Sequence, residues 1–235
     1  MYTVYNILYT RNKMDTPLFG QITQRNVDDE IVKKLRSAII DGQIPVGSHL
    51  NETEIAKQMA VSRIPIREAL RRLEQEGLVA RQPNRGVFVI QFTEKDVHEV
   101  FSLRANLESM AFEWAIPNLS TKDIGELREM VESQEKAIQE ENYEELSRLD
   151  MRFHEYICIK ANHSRLLKSW YEQHAQSQML LNIRFRKMSE YTPETVIKDH
   201  ERILNAIENG DVQTAIDRTA QISERGAAEC SQTIA

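Results

Sequence analysis

Residues 51–90 constrain the chain more than any other stretch. A short periodic segment, Glu52 to Met59, is followed by a break at Ala60-Val61 and a longer one from Ser62 to Glu76. Ile55, Ala56 and Met59 share one side of the first; Ile66, Ala69, Leu70 and Leu73 repeat at helical spacing in the second. Asn51 and Ser62 stand where helix caps belong, and Pro65 falls in a first turn, where a missing N–H costs little. Gly77 then ends the segment. Arg63, Arg67 and Arg71 recur at i, i+4 and i+8 on a face of their own. Beyond them, the apolar runs starting at Leu78 and Val87 flank Pro83-Asn84-Arg85-Gly86, which predicts a β-hairpin with Arg85 at its tip. Upstream, Val27, Ile31, Leu35, Ala38 and Ile39 mark an amphipathic helix over residues 27–40, stopped by Asp41-Gly42.

A short helix, a tight turn and a second helix that begins with arginines form a helix-turn-helix; a hairpin with a basic tip beside it is a wing. The N-terminal residues of such a second helix reach base edges, where Arg pairs with guanine O6 and N7. Ser62 and the first-turn N–H groups suit a phosphate. The expected DNA contacts are Ser62, Arg63, Arg67 and Arg71, with Arg85 in the wing. A net charge of −6 argues against DNA until its distribution is considered. Residues 57–85 hold seven basic and three acidic side chains, whereas from residue 93 onward acidic residues outnumber basic ones 26 to 17. A small basic head sits on an acidic body.

From Thr93 on, the sequence predicts six or so helices and no strands, an all-helical bundle. Thr93 with Asp96 and Ser120 with Asp123 have the spacing of capping boxes. Asn142, Ser164 and Thr192-Pro193 mark further starts, and Asn209-Gly210-Asp211 a break. The expected organisation is an arm over residues 1–25 (Met14 being a second candidate start), a winged helix-turn-helix over 26–92, and an all-α effector-binding and dimerisation domain over 93–235.

Polar residues interrupt three inward stripes of that bundle, taking about 100° per residue. Arg104, with Glu108 one turn on, falls among Val97, Val100, Phe101, Leu107 and Ala111. Asp150 falls among Leu146, Leu149, Phe153 and Ile157, with His154 at i+4, and His200 falls among Val196, Ile197, Ile203, Leu204 and Ile207. Buried charges need partners or a ligand, so these residues form either a closed polar network or a pocket. Asp150 and His154 share one helical face, which suits a metal. His49, His98, His163 and His174 belong to no comparable group, and Cys158 and Cys230 read as small buried hydrophobes in a reduced, cytoplasmic setting. No run of about 18 apolar residues offers a membrane span, and the N-terminus lacks the features of a signal peptide.

The run VSRIPIREALRRLEQEGL, followed by PNRGVFV, resembles the N-terminal domain of the GntR family of bacterial transcription regulators. The resemblance implies DNA contacts at Ser62, Arg63, Arg67, Asn84, Arg85 and Gly86. It adds Thr53 of the first helix, which stands where some members have Arg. Leu103-Arg104 with Glu108, Asp150 with Phe153-His154, Ala161-Asn162, and His200 with Ile203 resemble the FCD ligand-sensing domain of the FadR branch. Many such domains hold a divalent metal through one Asp and three His. That implies a zinc site of Asp150, His154 and His200, an effector site that adds Arg104 and Glu108, and Arg104 as the partner of a carboxylate. The last histidine expected from the family falls on Ile222, with Ser223 adjacent.

Three classes of function compete. The first is a homodimeric, ligand-responsive regulator, a repressor on a palindromic operator, modulated by a small organic acid. The second is a metal-dependent hydrolase built on Asp150, His154 and His200; it lacks a nucleophile motif, and Glu108 is its only nearby base. The third is a non-specific DNA binder, which the acidic body disfavours.

Overall fold

The computed structural model describes residues 25–186 and 194–234. The arm up to residue 24, Met14 within it, and the start marked by Thr192-Pro193 lie outside these residues, as does the side chain of Val27. The head comprises α1 (Arg25–Ile40), β1 (His49–Leu50), α2 (Glu52–Gln58), α3 (Arg63–Gln75), β2 (Val79–Gln82) and β3 (Gly86–Val89). The body comprises α4 (Glu94–Ala115), a 3-10 turn (Ile116–Asn118), α5 (Thr121–Gln139), α6 (Tyr143–Lys160), α7 (Ser164–Arg186), α8 (Glu194–Glu208) and α9 (Val212–Ile234).

Local chemistry sets most of these boundaries. The Asn51 side chain accepts from the backbone N–H groups of Thr53 and Glu54, which starts α2. Both expected capping boxes form, Thr93 with Asp96 and Ser120 with Asp123. Asn142 caps α6 by accepting from Glu145 N. At α7 the ring of His163, rather than Ser164, accepts from Leu166 N. Ser62 occupies the cap position of α3 with extended backbone, but its side chain makes no cap hydrogen bond. That corrects the expectation of a capping hydroxyl and leaves this oxygen outside the helix's own hydrogen bonding.

The wing has one strand more than the sequence predicts. The strand order is β1-β3-β2, with β1 antiparallel to β3 and His49 opposite Phe88. Two residues are too short a run to show a period. The β2–β3 turn holds Asn84 at φ +60° and Gly86 at φ +104°. A Cβ on Gly86 would come within 2.5 Å of the His49 ring, so the strand beside it admits only glycine there.

Two cores result. In the body, Phe112, Phe153, Trp170 and Phe185 lie within one large cluster. The head packs Ile39, Ile66, Leu70, Leu73 and Leu78 together with Ala175 and Met179, which belong to α7 of the body. Polar side chains of α7 reinforce that contact. Gln176 donates to the Gly77 carbonyl at the end of α3, and Asn182 donates to the Ile40 carbonyl at the end of α1, at 2.9 and 2.8 Å. Arg186 donates to the Asp41 carbonyl. These are carbonyls that the head's own helices leave without partners.

Candidate DNA-reading face and sensor site

The arginines of α3 stand free of the core. Arg63 and Arg67 keep 57% and 53% of their side chains exposed. Each lies 3.2 Å from the same oxygen of Glu52, in the first turn of α2. The hydrogen bond from Arg67 holds the Glu52 carboxyl below its ordinary range against a smaller effect of burial, and Arg63 adds a weaker pull in the same direction. Glu52 is therefore a part of this face that sequence reasoning missed, because nothing local says that α2 and α3 meet there. Thr53, Arg63 and Arg67 line one cleft with His49, Arg81 and Gly86. Arg71 points outward beside Glu68, 3.5 Å away. Arg85 at the wing tip lies 5.7 Å over the Phe88 ring, a cation–π contact that braces it. The structure thus brings the α2, α3 and wing residues to one side of the head.

The body cluster is built in the opposite way. Arg104 and Glu108 come from α4, Asp150 and His154 from α6, and His200 from α8, and all are buried. Arg104 Nε donates to Glu108 Oε1 at 2.7 Å, and its Nη2 donates to Asp150 Oδ2 at 2.9 Å. Trp170 Nε1 of α7 donates to the same Glu108 oxygen at 3.4 Å. Burial alone would raise both carboxyls. The Arg104 charge, then His154, outweigh it and hold Glu108 and Asp150 at about 2. For Arg104 burial opposes the charge, and Glu108 and Asp150 more than restore it.

The histidines are less completely satisfied. His154 Nδ1 lies 2.8 Å from Glu108 Oε2 and His200 Nε2 lies 3.4 Å from Asp150 Oδ1. Neither contact has the direction of a hydrogen bond, so both nitrogens are buried without a partner. His200 Nδ1 is 3.0 Å from the Val196 carbonyl, which can only accept, so the ring proton sits on Nδ1. Burial lowers His200 to about 4, so the ring is neutral near pH 7. Its Nε2 lone pair therefore faces a carboxylate oxygen. Two acceptors turned toward each other in a dry interior call for a cation between them. One donor atom each from Asp150, His154 and His200 lies within 4.8 Å of the others, and these three residues fit a metal. The Val196 contact fixes the ring as an outer partner fixes a ligating histidine.

Ile222 and Ser223 of α9 line the same cavity, with Thr219 and Arg184. Ile222 offers no donor, and the Ser223 hydroxyl is engaged by the Phe101 carbonyl at 2.7 Å. The cavity measures about 20 Å³, room for one water-sized sphere. The arrangement is thus a polar network held together by Arg104, with one ring nitrogen of each histidine left without a hydrogen bond. Of the remaining histidines, His174 packs on Trp170 and His163 on Trp114. Cys158 and Cys230 are buried, and burial pushes both thiols up, Cys230 to about 12.

Two family models divide the chain along these lines. Residues 28–89 match the gntR family of bacterial regulatory proteins, and residues 99–224 match the FCD domain. The chain belongs to the GntR family, in its FCD-containing form. It is a DNA-binding transcription regulator and not an enzyme. A similar curated protein is the uncharacterized HTH-type transcriptional regulator YdhC of Bacillus subtilis, 32% identical over 79% of this chain and 83% of that protein. The gluconate operon transcriptional repressor of Bacillus licheniformis is 33% identical over 76% of this chain and 74% of its own. Among solved structures, McbR/YncC of E. coli superposes with a TM-score of 0.74 at 22% identity, covering 87% of this chain and 97% of its own, which supports the fold. A hydrolytic role for the body cluster has no support in this family, and Glu108 is a poor base there, since three side chains crowd it and a carboxyl held at about 2 has little affinity for a proton. Among the described residues no helix is long and apolar enough to cross a membrane.

Proposed function

We propose that this regulator is a homodimeric, cytoplasmic repressor of the FadR branch, whose hold on a palindromic operator depends on a ligand in the body. One observation carries the sensor half: His200 Nε2 faces the Asp150 carboxylate at 3.4 Å without a hydrogen bond, while Nδ1 of the same ring lies 3.0 Å from the Val196 carbonyl. Asp150, His154 and His200 would hold a divalent metal, zinc being suited to this N and O set, with no ligand from Ile222 on α9. The bound metal would supply a positive centre that holds a small carboxylate effector beside Arg104 and Glu108. Since the cavity admits one water, an organic acid requires α9 to move.

For the reading half, Arg63 and Arg67 approach bases, Ser62 and Arg71 approach phosphates, and Asn84, Arg85 and Gly86 bring the wing to the duplex, with Thr53 beside them. Residues 26–92 would be the reading domain and 93–235 the sensing and dimerising one. Dimerisation is supported by α4, which leaves Leu103, Met110 and Trp114 exposed at i, i+7 and i+11, a single line along the helix. The relative named as a gluconate operon repressor favours repression over activation. Calorimetric titration of metal-stripped protein with zinc, followed by binding to a selected operator with and without the metal, tests the proposal. Zinc uptake that His200→Ala abolishes supports the site; equal zinc uptake by that variant removes it.

A further inference from the structure

Ile64 is the most exposed large hydrophobic residue among those described, with 74% of its surface open. It is the second residue of α3, between Arg63 and Pro65. At about 100° per residue it points away from Ile66 and the core, on the side that carries Arg67 and Arg71. Side chains on a helix lean toward its N-terminus, so Ile64 sits at the leading end of the helix that enters the groove. Nothing in the fold asks for isoleucine there. The position is solvent-facing, β-branched residues are weaker helix formers than Ala, Lys or Glu, and no neighbour packs over the side chain. A residue that breaks local preference at a functional face is where a binding role is expected.

The surroundings identify what covers it. Arg63 and Arg67 flank it, the helix N-terminus is positive, and the Ser62 hydroxyl makes no cap bond. These features favour a phosphate-lined duplex over an apolar protein surface. Along the major-groove edge of a base pair the one apolar group is the C5-methyl of thymine. We propose that Ile64 is a specificity-determining residue that packs on a thymine methyl in each half-site, next to the base read by Arg63 or Arg67. This rests on the assignment of α3 as the reading helix.

The test uses the full-length protein and an operator obtained by selection from random DNA. Each thymine of one half-site is replaced singly by deoxyuridine, which removes the methyl and leaves every hydrogen bond, and affinity is read by fluorescence anisotropy. One thymine should cost the native protein about fourfold on losing its methyl, the value for burying one such group. Ile64→Ser should bind the parent operator less well by a similar factor and be indifferent to that one replacement. Because the side chain is exposed, the variant should melt with the native protein. The proposal is overturned if no thymine is methyl-sensitive, or if Ile64→Ser keeps the native sensitivity. Failure of the underlying assignment looks different: selection then yields no sequence bound better than random DNA.

Discussion

The head sets two arginines on one carboxylate and the body sets one arginine between two, and the two clusters do opposite work because one is wet and the other dry. Arg63 and Arg67 share Glu52 at 3.2 Å with half of each side chain in water. Arg104 holds Glu108 and Asp150 at 2.7 and 2.9 Å with only 9% of its side chain exposed. In water such a pair contributes little and exchanges readily, so the head's arginines can leave Glu52 for phosphates and bases. Buried, the same chemistry cannot come apart without leaving a charge stranded, so the body's cluster holds its arrangement. Exposure, not residue type, separates the two clusters.

The largest effect should come from breaking the dry cluster. Arg104→Ala strands two carboxylates and should lower unfolding free energy by about 3–5 kcal/mol in urea titrations; a loss below about 1 kcal/mol would mean that the body cluster is as wet as the head's. Next, zinc at a hundredfold over its dissociation constant should stabilise the native protein by about 2.7 kcal/mol, seen as a raised melting temperature. His200→Ala should show no such rise, and a rise in that variant would place the ion elsewhere. In the head, Arg67→Ala should cost about 1–3 kcal/mol of operator binding at one base position while changing stability by less than about 1 kcal/mol. A comparable loss on random DNA would reduce Arg67 to a phosphate contact. The smallest effect belongs to Glu52→Gln. Unfolding should move by less than about 1 kcal/mol, whereas binding to random DNA should tighten, because two arginines are freed from a competing acid.

What could be read from the sequence follows the reach of each interaction. Thr93 with Asp96 and Ser120 with Asp123 were legible because a capping box is complete within four residues. Arg104, Asp150 and His200 were legible because a polar residue on an apolar stripe breaks a regular pattern. Glu52 was not, since its role depends on α2 meeting α3. β1 was hidden by its length, and Trp170 by its nature: an apolar residue on an apolar stripe gives no sign that its N–H reaches Glu108. Least legible was the share of α7 in the head, because Ala175 and Met179 look like any other helix interior.

That share has a consequence for how the molecule comes into being. Synthesis runs from the N-terminus, so α1, α3 and the wing leave the ribosome well before Ala175 and Met179 exist. Until α7 emerges, the head carries an uncovered apolar patch and unpartnered carbonyls at Ile40 and Gly77. A head cut off after residue 92 would stay permanently in that unfinished condition. Exchanging heads between relatives would succeed only if Ala175, Gln176, Met179 and Asn182 travelled with them.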